Sequence, residues 1–378
     1  MRRLTYLTAI LSTAFIVLAA DPKYPPLPLG SPAPDFKLPG ADGKTYRLKD
    51  FRKAKVLAVI FTCNHCPTAQ AYEERIKQLV TDYKSRGAAI VAINPNNPDA
   101  VRLDELGYTD LDDTLSSMKN RAKHKQYNFP YLDDGPKEIV SKRFGPIATP
   151  HVFIFDAERK LRYQGRIDDN ERESLVKSRD TRAALDALLA GQEPPVTQTK
   201  VFGCSTKWDF KAESSRRWIE KVRKEPVTVE PADAVALKEL RANKSGKVRL
   251  VNFWATWCAP CVAEFDDLVE TNLRFRHRDF ELVTVAAQFP DEKDAVLKFL
   301  QKHHASTRNF LFAEPDKYKL IEAFDSEWNG GLPYTVLLGP KGEVLYRHSG
   351  ELDFLELRRK IVPALNTLKP WPGMTSAQ

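Results

Sequence analysis

The sequence predicts an α/β protein of two similar domains, each with a central mixed β-sheet flanked by helices. Three observations carry this prediction. The chain has 378 residues, too many for one ordinary hydrophobic core. Residues 55–61 form a continuous apolar run, which is typical of a strand buried on both faces, and the run at residues 247–254 is predicted to be the corresponding strand. Each run leads into a Cys-x-x-Cys motif and then a helix, so the same order of elements occurs twice.

The two domains are expected at residues 27–210 and 229–370, with a charged linker at 211–228. Apolar runs and their Pro, Gly and Asn boundaries give the individual elements. In the first domain we predict strands at 55–61, 88–93, 151–156 and 161–165, and helices at 67–86 and 181–189. In the second we predict strands at 247–254, 281–287, 334–338 and 343–347, and helices from the second motif to about 275, at 291–304 and at 353–368.

The N-terminus indicates export. Arg2 and Arg3 precede an uncharged apolar stretch that ends in small residues at Ala20, as in a secretory signal peptide. We predict a bacterial-type signal peptide at residues 1–20 and a location in the periplasm or cell envelope. The alternative is an uncleaved segment that tethers the protein to the membrane.

The formal net charge of +8 does not indicate nucleic-acid binding. Lys and Arg alternate with Asp and Glu, and no block of like charge would follow a phosphate backbone. The 42% hydrophobic and 29% charged residues are those of an ordinary soluble domain.

Four of the five cysteines form two close pairs, Cys63 with Cys66 and Cys258 with Cys261. Such short loops constrain an unfolded chain little, so the pairs suit redox exchange or metal binding better than stabilisation. A cysteine at the start of a helix is favoured as the reactive thiolate, and a second cysteine two residues away can resolve a mixed disulfide. We therefore predict four catalytic cysteines.

The residues between the cysteines should set the two redox equilibria apart. His65 can stabilise a Cys63 thiolate, whereas Ala259 and Pro260 offer no side-chain donor. We therefore expect the first site to be the more oxidising; about 30 mV corresponds to about 1.4 kcal/mol.

A proline precedes a strand in each domain, at Thr149-Pro150 and at Leu332-Pro333. We expect both bonds to be cis and to expose the backbone of the preceding residue to an incoming peptide. These four residues are the predicted substrate-binding positions.

The segment Val251–Glu264 reads VNFWATWCAPCVAE and resembles the TlpA-like thioredoxins of bacterial envelopes, over about residues 229–368. Those proteins are membrane-attached or periplasmic reductants, and some serve cytochrome maturation. The resemblance implies a thioredoxin-like fold, Cys258 as nucleophile, Cys261 as resolving thiol, Glu264 as a proton-handling acid and Pro333 as the cis-proline. Asn252 departs from thioredoxin itself, which carries a buried Asp there.

The first domain resembles the redoxin or peroxiredoxin-like proteins that carry a Cys-x-x-Cys, over about residues 29–208. The matching segments are Gly30–Phe36, Phe61–Pro67, Ala148–His151 and Gly165–Asp169. The Pro-x-x-x-Thr-x-x-Cys pattern of true peroxiredoxins is absent from the sequence, so peroxidase activity is an alternative only.

Cys204 leaves two interpretations open: it resolves a disulfide with Cys63, or it is a buried inert thiol. Copper or zinc bound by the first-site cysteines, His65 and Cys204 is a further alternative. His65 lies between the cysteines and cannot easily converge with both, so we expect neither metal nor cofactor.

Taken together, the sequence predicts an exported enzyme, a thiol–disulfide oxidoreductase that uses both Cys-x-x-Cys sites. Its partners would be client proteins with thiols or disulfides and an upstream membrane electron donor. A peroxidase and a copper-binding thiol protein are the alternatives.

Overall fold

The computed structural model describes residues 23–371 and contains two α/β domains in tandem, as predicted. The predicted signal peptide, residues 1–20, lies outside the described residues. Within residues 23–371, no helix has the length and apolar character needed to cross a membrane.

The first domain is built on a five-stranded mixed sheet. Two further strand pairs, β1 with β2 and β6 with β9, lie outside this sheet. The strands of the domain are β1 (Lys37–Pro39), β2 (Thr45–Arg47), β3 (Val56–Phe61), β4 (Ala88–Asn94), β5 (Tyr131–Asp133), β6 (Ala148–Thr149), β7 (His151–Phe155), β8 (Leu161–Gly165) and β9 (Cys204–Ser205). Its helices are α1 (Pro67–Ala71), α2 (Glu73–Tyr83), α3 (Leu115–His124), α4 (Ser141–Phe144) and α5 (Asp180–Leu189). The sheet order is β5, β4, β3, β7, β8, with β3 parallel to β4 and antiparallel to β7.

The second domain repeats this plan with a six-stranded sheet. Helix α6 (Ala212–Val222) comes first, in the connection between the domains. The strands are β10 (Glu230–Ala232), β11 (Val248–Trp254), β12 (Phe280–Ala286), β13 (Arg308–Phe312), β14 (Tyr334–Leu338) and β15 (Val344–Ser349). The helices are α7 (Ala234–Ala242), α8 (Ala259–Phe275), α9 (Lys293–Lys302), α10 (Lys317–Phe324) and α11 (Phe354–Leu368). The sheet order is β10, β13, β12, β11, β14, β15.

The central strands are buried on both faces, which explains the continuous apolar sequence of β3 and the mainly apolar sequence of β11. Every residue of β3 and of β11 is buried. Separate hydrophobic clusters lie on the two faces of each sheet. In both domains the Cys-x-x-Cys motif follows the carboxyl end of the central strand.

Two segments differ from the prediction. The helix expected at 67–86 is divided into α1 and α2 at Tyr72, whose buried ring packs in the core and whose hydroxyl donates to Asp168 Oδ1 (2.7 Å). The segment 211–228, predicted as a charged linker, contains helix α6.

The domains contact each other through residues 103–110 of the first domain. These residues pack against α8 and α11 of the second domain. The Arg278 guanidinium donates to the carbonyl oxygen of Gly107 (2.7 Å) and lies 3.9 Å from the centre of the Tyr108 ring. Arg359 on α11 donates to Asp110 Oδ2 (3.0 Å).

Candidate active sites

The second site lies where β11 meets α8. Cys258 is the N-cap of α8, and its Sγ accepts a hydrogen bond from the backbone N–H of Cys261 (3.4 Å). The two cysteines form a disulfide, with their Cα atoms 5.3 Å apart. The unpaired N–H groups at this helix end would stabilise a Cys258 thiolate once the disulfide is reduced.

Glu264 follows Cys261 by three residues on the same face of α8. Its carboxylate is buried, and burial raises its pKa to about 7. The backbone N–H of Leu352 donates to Oε2 (3.0 Å), and Asn252 Nδ2 donates to Oε1 (3.3 Å). A carboxyl that titrates near neutral pH can both take up and release a proton.

Both predicted proline bonds, Thr149-Pro150 and Leu332-Pro333, are cis.

At the second site the aromatic residue beside the disulfide, Trp257, is 64% exposed. Cys258 itself is only 6% exposed, so the surface beside the disulfide is formed by Trp257.

At the first site the helix begins later relative to the motif. The N-cap of α1 is Cys66, the second cysteine, and its Sγ accepts from the backbone N–H of Ala69 (3.4 Å). Both Cys63 and Cys66 are free thiols and buried. Burial alone would raise the pKa of Cys66, but hydrogen bonds from the Cys204 and Cys63 thiols and the charge of His65 hold it well below its usual value.

Cys63 has the opposite character. Burial, the hydrogen bond to Cys66 and the charge of Asp113 raise the pKa of Cys63 well above its usual value. Its Sγ lies 3.1 Å from Thr149 Oγ1. The helix N-terminus and the His65 charge both lower the pKa of Cys66. That His65 also stabilises a Cys63 thiolate stays a prediction, since ligand atoms of these two residues lie within 4.8 Å of each other.

Asp113 completes this site, and nothing in the sequence distinguishes it from the other acidic residues of its stretch. Its Oδ1 accepts from the backbone N–H groups of Asn64 (2.8 Å) and His65 (3.0 Å). Its Oδ2 accepts from Asn96 Nδ2 (2.7 Å) and lies 2.6 Å from His65 Nδ1. Burial opposes both charges, yet their mutual attraction raises the pKa of His65 and lowers that of Asp113. The pair is therefore an imidazolium and a carboxylate.

Cys204 lies against the first site. The backbone N–H of Cys204 donates to Cys66 Sγ (3.3 Å). Strand β9, which contains Cys204, pairs with β6, so Cys204 stands opposite Thr149. The structure thus brings Cys63, Cys66 and Cys204 together at cis-Pro150.

The first site also contains a group of residues that could bind a metal ion. One ligand atom each of Cys63, His65 and Asp113 lies within 4.8 Å of the others, and His65 Nε2 has no hydrogen-bond partner among the described residues. However, both Asp113 oxygens already accept two hydrogen bonds each, and Cys63 is held as a thiol. The donor set fits thiol chemistry better than metal ligation.

Family models match both domains. Residues 29–164 match the AhpC/TSA family and residues 226–358 match the Redoxin family. Each range contains one of the two Cys-x-x-Cys motifs.

Several thiol–disulfide exchange proteins are similar to part of the chain. The thiol:disulfide interchange protein HelX of Rhodobacter capsulatus is 31% identical over 140 residues, which are 37% of this chain and 73% of that protein. The protein CycY of Rhizobium leguminosarum is 30% identical over 142 residues, 37% of this chain and 69% of that protein. The chain spans 59% of the DsbE homolog of Paracoccus denitrificans, which is 32% identical over 119 residues, 31% of this chain.

A solved structure of a hypothetical protein from Sinorhizobium meliloti is 37% identical and has a TM-score of 0.42. It covers 48% of this chain and 95% of its own. With the two family models, with the similarity to HelX and CycY, and with a helix-capping cysteine and a cis-proline in each domain, the chain belongs to the thioredoxin-like thiol–disulfide oxidoreductases, with an AhpC/TSA domain followed by a Redoxin domain.

Proposed function

We propose that this enzyme is exported and exchanges disulfides with envelope proteins through both of its Cys-x-x-Cys sites. The observation that carries the proposal is the shared geometry of the sites: Cys66 and Cys258 each cap a helix, and each domain has its cis-proline. Clients would be proteins with thiols or disulfides.

At the second site, the reduced Cys258 thiolate attacks one sulfur of a client disulfide. The client S–S bond breaks, one client cysteine leaves as a thiolate, and the other stays bound to Cys258. The Cys261 thiol then loses its proton to Glu264 and attacks the Cys258 sulfur. The Cys258–Cys261 disulfide forms and the second client thiolate leaves, so two electrons pass to the client. An upstream membrane electron donor would reduce the enzyme again.

At the first site, Cys66 is the attacking thiolate and Cys63 resolves the mixed disulfide. The roles of the two cysteines in the motif are thus the reverse of those at the second site. Sulfur and proton transfers account for every step at both sites, and we propose that no metal or other cofactor takes part.

Reduction of insulin by dithiothreitol tests the proposal. We expect the full chain to accelerate it, Cys258→Ser to remove most of this activity, and Cys66→Ser to remove the remainder when combined with it. Ser214→Ala, at an exposed position of α6, is the matched control. Full activity in the double variant would overturn the proposal.

Glu264 gives a pH prediction for the second site. Since its pKa is about 7, the rate of client release should rise with an inflection near that pH as the carboxylate becomes able to accept the Cys261 proton. Glu264→Gln should remove the inflection and slow release at least tenfold. Asp267→Asn, exposed on the same helix, should keep it; an inflection that survives Glu264→Gln contradicts this role.

Export is tested separately by fractionating cells that express the full chain and sequencing the N-terminus of the mature protein. We expect the envelope fraction to contain a chain cut near Ala20, or an intact chain in the membrane fraction if the segment is a tether. A protein confined to the cytoplasm contradicts the proposal.

Peroxide reduction is a second candidate for the first domain, and the burial of Cys66 favours it. This sulfur is 0% exposed, which suits a small reactant. The Cys66 thiolate would attack a peroxide oxygen, releasing an alcohol or water and leaving a sulfenic acid; a second thiol would then form a disulfide and release water. Consumption of hydrogen peroxide that depends on Cys66 but not on Cys258 is the test.

A further inference from the structure

The strand edge beside cis-Pro150 is already occupied by a segment of the same chain. In β9, Cys204 pairs with Thr149 and Ser205 pairs with Ala148, in antiparallel register. Thr149 is the residue before the cis-proline, so this is the edge at which an extended client chain would add a strand. The segment of residues 202–207, here called the β9 segment, therefore occupies the position in which an extended client would bind.

Within this segment, Cys204 occupies the position of a client cysteine. Its backbone N–H donates to Cys66 Sγ (3.3 Å), and its thiol also hydrogen-bonds to that sulfur. Cys66 is fully buried beneath it, whereas Cys204 is half-buried. A client disulfide can reach Cys66 only when the β9 segment moves away.

The close approach of the β9 segment depends on Gly203. Its φ is +137°, and a Cβ atom there would lie 2.1 Å from the carbonyl oxygen of Thr149. No other residue fits this position without moving the segment. On the other side of Cys204, the Thr206 hydroxyl donates to Pro146 O (2.6 Å) and the Lys207 N–H donates to Asn96 Oδ1 (2.9 Å).

The second site has no comparable cover. Within residues 23–371, Gly331 and Leu332 pair with no strand, although they precede cis-Pro333 as Ala148 and Thr149 precede cis-Pro150. The β9 segment is thus a feature of the first site and not of the shared fold.

We propose that Cys204 is the intramolecular disulfide partner of Cys66, carried by a strand that occupies the client edge of the first site. The proposal rests on the proposed exchange chemistry of that site. When a client has oxidised the site, the Cys204 thiolate attacks the Cys66 sulfur of the Cys63–Cys66 disulfide. The Cys66–Cys204 bond forms, the Cys63–Cys66 bond breaks, and the proton given up by Cys204 is taken by Cys63. No external oxidant is needed.

Disulfide mapping of the full-length Cys63→Ser variant tests this pairing. The variant is equilibrated with reduced and oxidised glutathione, quenched in acid, alkylated and digested with trypsin. Cleavage after Lys55, Arg75, Lys200 and Lys207 places Cys66 in peptide 56–75 and Cys204 in peptide 201–207. We expect these two peptides, linked by a disulfide, as the main oxidised product. Glutathione on Cys66 with Cys204 free would overturn the proposal.

Two further variants make the test specific. Cys66→Ser should give no link between the same two peptides, because Cys204 hydrogen-bonds to the sulfur of Cys66. In a Cys63→Ser background, Gly203→Ala should lower the fraction of Cys66 that is linked to Cys204 several-fold. It should also speed the alkylation of Cys66 by a bulky maleimide. An unchanged linked fraction and alkylation rate would show that the strand position is irrelevant.

The outcome is separable from that of the client proposal. If the Cys66–Cys204 link forms but Cys66→Ser leaves insulin reduction unchanged in the Cys258→Ser background, the internal pairing stands and client exchange at this site fails. If insulin reduction depends on Cys66 but no link forms, the internal pairing fails alone.

Discussion

Cys66 and Cys258 hold the same structural position, the N-cap of a helix, but they are different members of their motifs. In the second motif the intervening Ala259 and Pro260 already belong to α8. In the first motif the intervening residues precede α1, which leaves His65 free to turn inward onto Asp113. A shift of three residues in the start of the helix therefore changes which sulfur accepts a hydrogen bond from the N–H groups of the first turn.

The charge of His65 should set the reduction potential of the first site. Since His65 stabilises the Cys66 thiolate, it favours the reduced form and makes the disulfide more oxidising. We expect His65→Ala to lower the potential by about 30–60 mV, the equivalent of one charge-assisted hydrogen bond. Glutathione titration in a Cys258→Ser/Cys261→Ser background measures it. His124→Ala, at an exposed position, is the control and should leave the potential unchanged.

The buried pair of His65 and Asp113 should make stability depend on pH. The pKa of Asp113 is lowered from 3.8, so its contribution is present above pH 3.8 and is lost as the pH falls further. The pKa of His65 is raised from 6.5, so its contribution is present below pH 6.5 and is lost as the pH rises through the folded-state value.

Between about pH 3.8 and pH 6.5, Asp113→Asn should therefore lower the free energy of unfolding by about 3 kcal/mol, because it leaves the buried charge of His65 unpaired. The loss should be smaller outside this range. Urea denaturation across the pH range measures this cost. The exposed Glu158→Gln should change stability by less than about 0.5 kcal/mol. An equal cost at pH 5 and pH 9 would contradict the ion pair.

Among the individual residues, every cysteine of the two sites was identified from the sequence, because the Cys-x-x-Cys motif itself carries that information. It did not identify Asp113, since a carboxylate 48 residues from His65 is recognised only when the intervening chain folds back. It also did not show that Cys66, and not Cys63, caps α1, because the first turn of that helix could not be placed from the sequence alone.

Among the elements, buried strands were the most predictable. The predicted bounds of β3, β4, β11 and β14 agree with the structure to within about one residue, because long apolar runs leave little choice of register. Helix α3 and strands β5 and β13 were not predicted. They are short or polar, and contacts with the rest of the domain determine them more than their own sequence does.

Helix α3 connects directly to Asp113, so its first turn should matter to the first site. Thr114 is its N-cap, and the Thr114 hydroxyl oxygen accepts from the backbone N–H of Ser117 (3.3 Å). We expect Thr114→Ala to lower stability by about 1 kcal/mol in thermal unfolding, whereas the exposed Ser116→Ala should have almost no effect. Equal effects would show that the cap is unimportant.

For the whole molecule, helix α8 sets the relation between the two sites. Cys258 caps its start, while Gly107 of the first domain packs on the carbonyl oxygen of Arg274 near its end. Seventeen helical residues span about 25 Å. This length separates Cys258 from the domain contact at Gly107, and we expect electrons to pass between the sites through a client or shuttle protein.

The domain contact should depend on Arg278, which is buried between Gly107 and the end of α11. Besides Gly107, its guanidinium donates to Asn366 Oδ1 (3.0 Å) and Lys369 O (2.8 Å). We expect Arg278→Ala to divide a single calorimetric unfolding transition into two and to speed proteolysis within residues 211–228. The exposed Lys298→Ala should keep one transition. A single transition in both variants would mean that the contact contributes little.

The odd number of cysteines limits how many disulfides one molecule can form. The chain has five cysteines, and a molecule that pairs them only with one another must always keep one thiol. With Cys258 and Cys261 paired, the proposed exchange leaves the third thiol on Cys204 while Cys66 is bonded to Cys63, and on Cys63 while Cys66 is bonded to Cys204. Even the most oxidised monomer thus retains a thiol at the first site, from which it can begin a new exchange.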